Sequence, residues 1–97
     1  MQQPISTGSI APLVPRSGTP TYIVRNCRDS IVAAAAPLGA VRVDAASAGQ
    51  TQQAQDGRLV APIEVRIVYA STRARQVRHS YITCQISADG TVTALDS

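Results

Sequence analysis

Between Thr19 and Leu38 the apolar positions recur at helical spacing. Ile23, Cys27, Ile31 and Ala34 (or Ala35) fall on one face of a helix, and Arg25, Asn26, Arg28 and Asp29 lie largely off that stripe. Thr19 is placed to cap the N-terminus, with Pro20 at the first helical position, where its missing N–H costs nothing. Ala33, Ala34, Ala35 and Ala36 are strong helix formers, and Pro37 with Gly39 ends the run. The pattern predicts a helix over residues 20–36, with Cys27 on its buried side.

Downstream the period changes to two. Val41, Val43 and Ala45 alternate with Arg42 and Asp44 in a short first strand. Residues 46–58 are small and polar and read as a mobile loop. A second strand carries Ile63, Val65, Ile67 and Tyr69 on one face and Glu64, Arg66 and Val68 on the other, and Pro62 marks an edge or a strand start. Residues 77–86 form a third strand, with Ile82, Cys84 and Ile86 opposite His79, Tyr81, Thr83 and Gln85. Ser87 through Gly90 is a hairpin signal leading into a fourth strand at residues 91–95. The predicted fold is α+β: a two-layer sandwich of one N-terminal helix on an antiparallel meander of three to four strands, in the order α-β-β-β-β.

Residues 1–18 keep neither period. Pro4, Gly8, Pro12, Pro15 and Gly18 interrupt isolated aliphatic residues, so this stretch is expected to be a disordered linker or tail, with residues 19–97 forming one small domain.

Composition limits what such a domain can hold. Of 97 residues, 44% are hydrophobic, but fifteen are alanine and only Tyr22, Tyr69 and Tyr81 are aromatic. The core is therefore thin and aliphatic, too small for a large cofactor pocket, and no cofactor is expected. No apolar run approaches the ~20 residues that span a bilayer. The net charge is +3, carried by nine arginines and no lysine, scattered along the chain.

Two cysteines 57 positions apart make no redox motif, and with His79 as the sole histidine a four-ligand zinc site lacks donors. Cys27 on the helix stripe and Cys84 on the apolar face of the third strand point into one interface, so a disulfide is expected. That pairing implies the periplasm or the extracellular space. The residues after Met1 have neither the charged nor the apolar region of a secretory signal, so an export leader or lipoprotein anchor is expected to have been removed, and membrane contact only through it.

A cysteine nucleophile needs a base, but His79 and Cys84 are an odd number of residues apart on one strand and leave opposite faces. The six acids stand singly and no glycine-rich loop is present, so the expectation is a protein without catalytic activity.

The open sheet face supplies the candidate binding surface: Arg66, Val68, Arg73, Arg75, His79 and Tyr81, with Arg66 or Val68 expected across from Tyr81. A protein or cell-envelope component meeting this face, or an edge strand, is the first reading. A cytosolic nucleic-acid-binding domain using Arg66, Arg73, Arg75, Arg78 and Tyr81 is the alternative. The stretch from Cys84 to Val92, following a cysteine-bearing helix, resembles the strand–Asp-Gly–strand hairpin of the TolA and TonB C-terminal domains, in which the helix follows the strands. The likeness implies a bacterial envelope setting and transfers no functional residue.

Overall fold

The computed structural model describes residues 12–70 and 74–96. The apolar stripe folds as α1, Thr21–Ala35, continued by a single 3-10 turn at Ala36–Leu38. Its buried residues are Ile23, Cys27, Ile31 and Ala35. The helix starts one residue later than its sequence signal, and Thr19 does not cap it. Pro20 holds the cap position, its carbonyl accepting from the Ile23 and Val24 N–H groups. The Thr19 hydroxyl instead donates to the Gly49 carbonyl at 2.8 Å and accepts from the Thr51 hydroxyl at 2.9 Å. A partly buried long-range bond has replaced the local cap.

Five strands follow: β1 Ala40–Ser47, β2 Gln52–Gln53, β3 Leu59–Ala70, β4 Arg75–Ile86 and β5 Val92–Asp96. They form one antiparallel sheet in the order β1-β3-β4-β5, with β2 also paired to β3. The architecture is the α+β arrangement expected from the sequence: one helix packed on a meander. Ile23, Cys27 and Ile31 meet Ala61, Ile63, Val65, Cys84 and Ile86 in a single aliphatic core. Cys27 and Cys84 are joined by a disulfide, with Cα atoms 6.2 Å apart, and both are fully buried.

Pro62 lies inside β3, paired with Thr83 on β4, and not at a strand start. Its carbonyl accepts from the Ala48 N–H, so its missing N–H faces the same side, just where β1 has ended. β1 (pairing with residues 63–69) and β2 (pairing with Leu59 and Val60) are thus two pieces of one edge, separated opposite the proline. β2 falls in the segment read as a loop. It joins the sheet through its backbone and its glutamines are exposed, so no apolar alternation marks it.

The chain before α1 is bound from Arg16 onward. Arg16 N–H donates to the Ser47 carbonyl at 2.8 Å, and the Gly18 carbonyl accepts from the Thr51 N–H at 2.9 Å. Gly18 has φ +123°, and a Cβ there would stand 2.6 Å from the Gln50 Cα. Only glycine permits so close an approach. Contacts of the folded unit therefore begin before Thr19.

Candidate functional site

Residue parity on β3 and β4 sorts every candidate side chain. Register runs without a break from Leu59 opposite Ile86 to Ala70 opposite Arg75. Odd residues of β3 and even residues of β4 face the helix, and the others form the outer face. Arg66, His79 and Tyr81 are gathered on the outer face as expected, with Arg75 at its end. Val68 shares that face but is 7% exposed, held between Arg42 and Val77 in the neighbouring strands, so it is not part of a contact surface. Arg73 lies outside the described residues. Arg78 points to the helix side, where it lines a cavity with Leu38, Tyr69 and Gln76. The five residues of the nucleic-acid reading are therefore not collected on one face.

The residue across from Tyr81 is Glu64, neither Arg66 nor Val68. Periodicity assigns faces and not register, so it does not carry that information. Glu64 is the residue the sequence reading missed as a site member. Its Oε2 lies 2.6 Å from His79 Nε2, an ion pair when the ring is protonated, and 3.5 Å from the Tyr81 hydroxyl, which donates to it. The His79 and Tyr81 rings meet edge to face at 5.5 Å. Arg66 has His79 opposite on β4 and Asp44 opposite on β1, and Asp44 also pairs with Arg42 at 3.1 Å. Acids and bases alternate across the face, and its potential is correspondingly divided.

At the other end of the outer face Arg58 donates to Asp56 at 2.7 Å and also to Gln85, which in turn donates to Asp96 at 3.0 Å. The Arg58 backbone N–H and its guanidinium hold the Asp56 carboxyl below the usual aspartate range. In the β4–β5 turn, the Ser87 hydroxyl and the Thr91 N–H do the same for Asp89.

The cysteines are bonded to each other beneath the helix, on the sheet face opposite His79, so neither thiol is free to be activated by it. Among the described residues no cluster of three histidine, cysteine or acidic side chains is placed to hold a metal ion.

The edge of the sheet is as distinctive as its faces. Among the described residues β5 covers β4 between Thr83 and Ile86, and residues 75–81 have no paired strand on that side. The direction of the main-chain groups follows from two bonds on the far side of β3. Pro62 O accepts from Ala48 and Ala70 N–H donates to Gly39, so even residues of β3 face β1 and odd residues face β4. In this register even residues of β4 bond to β3, and Val77, His79 and Tyr81 direct their N–H and C=O groups outward. Every residue from Arg75 to Tyr81 is exposed.

Beside that edge, on the helix side, a groove of about 230 Å³ lies between the C-terminal half of α1 and the sheet. Ile31, Ala34 and Leu38 form its helix wall, Ile67 and Tyr69 its floor, and Ser80 and Ile82 its β4 rim, with Leu95 and Asp96 of β5 at its end. Leu38 and Tyr69 are shared with the cavity lined by Arg78, so an apolar end runs into a basic one. No protein-family model, curated protein or solved structure matches the chain.

Proposed function

We propose that this chain is a non-catalytic interaction module of an oxidising compartment, periplasmic or extracellular, that holds a partner protein by strand addition along β4. The observation that carries this reading is the edge at residues 75–81, where three consecutive outward main-chain pairs have no neighbouring strand among the described residues. Main-chain bonds to an added strand supply affinity in this mode. The disulfide supports the compartment, because such bonds persist where thiols are not kept reduced. The nucleic-acid reading has less support: Arg78 lies on the opposite face from Arg66, and Glu64 and Asp44 stand among the outer-face cations.

Proline scanning tests the proposal. Val77→Pro and His79→Pro each remove an outward N–H and leave the β3–β4 ladder intact. Peptides selected from a random displayed library on the oxidised domain should lose binding to both variants and keep it to Tyr81→Ala. Selected peptides that tolerate both prolines, with the variants still folded by circular dichroism, would refute strand addition.

A further inference from the structure

We infer that the groove between the first two turns of α1 and the β4–β5 turn takes the side chain of a lysine from a partner peptide, its ammonium held by Asp89, Asn26 and the ring of Tyr22 and its methylene stem laid on Leu59. The groove has a volume of about 190 Å³, and none of residues 75–81 lines it. Small-molecule sites run to roughly 300–1,000 Å³, so this one suits a single side chain whose main chain stays outside. Tyr22 and Asn26 are four residues apart on α1 and therefore neighbours along one face. Tyr22 is 56% exposed, an aromatic ring left beside a core that contains none. None of the 97 residues is lysine, so the guest is not drawn from this domain itself.

One bond fastens the turn to the helix, with Asn26 Nδ2 donating to the Gly90 carbonyl at 3.2 Å. Because that carbonyl can only accept, the amide orientation is fixed, and Asn26 Oδ1 is left as an acceptor without a partner among the described residues. Asp89 Oδ1 accepts from the Ser87 hydroxyl and from the Thr91 N–H at 3.1 Å, so Oδ2 is the oxygen left over. The same bonds hold this carboxyl below the usual aspartate range, and it is ionised wherever lysine is charged. The negative face of the Tyr22 ring adds a further attraction for a cation. No basic side chain lines the groove, Arg25 beside Asn26 included. An ammonium offers donors and no acceptor, which matches a carboxylate oxygen, an amide oxygen and a ring face. An anionic guest would instead be repelled by Asp89. Leu59 and Ile86 floor the groove and give the stem an apolar bed.

The test titrates the oxidised, isotope-labelled chain with Nα-acetyl-lysine methylamide and follows amide NMR shifts. Saturable shifts should appear at Asp89, Gly90 and the Asn26 side-chain amide. Acetylating the ammonium, or replacing lysine with norleucine, should weaken binding by roughly tenfold. Asp89→Asn keeps the oxygen that accepts from Ser87 and Thr91 but loses the charge, and should weaken binding several-fold. Tyr22→Leu should also weaken it, and Tyr22→Phe should retain it, because the ring face and not the hydroxyl makes the contact. n-Butylamine should shift the same resonances and bind no more tightly than the lysine derivative. Norleucine binding as well as lysine would overturn the inference, as would indifference to both Asp89→Asn and Tyr22→Leu in variants still folded by circular dichroism. A several-fold preference for the arginine derivative would overturn the choice of an ammonium, and tighter binding of n-butylamine would overturn its assignment to a peptide side chain. With no saturable shift at those positions, the site itself falls.

Discussion

Removing the disulfide should cost this domain a large share of its stability. Cys27 and Cys84 are 57 positions apart. In the chain-entropy treatment a cross-link of that span restricts the unfolded chain by about 4 kcal/mol. A domain of this size has a total stability of roughly 5–15 kcal/mol, and a core without buried aromatic side chains places it toward the lower end. Both sulfurs are fully buried, so replacement by alanine also leaves two small voids, each costing about 1 kcal/mol. Urea unfolding followed by far-ultraviolet circular dichroism suits a chain without tryptophan. The Cys27→Ala/Cys84→Ala variant should show a strongly lowered midpoint and a steeper denaturant dependence, since its unfolded state exposes more surface. The two single variants should each lose about as much as the double, because either one breaks the same bond. A double variant within about 1 kcal/mol of the parent, or thiols that alkylate in the native, non-reduced protein, would refute the assignment of the bridge as the main fastening of helix to sheet.

Three further outcomes follow from the geometry. Gly18→Ala combines an unfavourable φ with a backbone clash against Gly49 and Gln50, and should destabilise by on the order of 2 kcal/mol while raising protease cleavage after Arg16. Asp89 should titrate below the ordinary aspartate range in the native protein, so the stability its ionised form contributes is present above the unfolded pKa and fades as pH falls through the lower folded value. Ser87→Ala should move that titration upward when read by carboxyl NMR shifts. On a DNA column the oxidised chain should elute at low salt with a shallow salt dependence, and a steep one would favour the phosphate-binding reading.

The helix stripe and the strand alternation were legible because burial enforces them. Ile23, Cys27, Ile31, Ile63, Val65, Cys84 and Ile86 all reach the core their spacing placed them in. The disulfide followed from the same two periodicities. What periodicity could not carry was register: it placed Tyr81 on the outer face but not opposite Glu64. The start of β4 was similarly hidden, since Arg75 and Gln76 are exposed on both sides and show no alternation. Thr19 has the chemistry of a cap, and only the folded positions of Gly49 and Thr51 reveal why it serves elsewhere.

The two borders of the sheet are unequal in a way that bears on assembly. On the β1 side, Pro62, the irregularity at Val41 and the Arg16 strap interrupt any continuous row of donors and acceptors. On the opposite border β5 covers Thr83 to Ile86, and among the described residues no strand pairs with residues 75–81. Fibrous stacking of sheets requires each molecule to be adhesive on two sides, so that every addition regenerates a growing end. If β4 accepts a partner strand as proposed, the interrupted β1 border offers that pairing no matching second edge from which to grow.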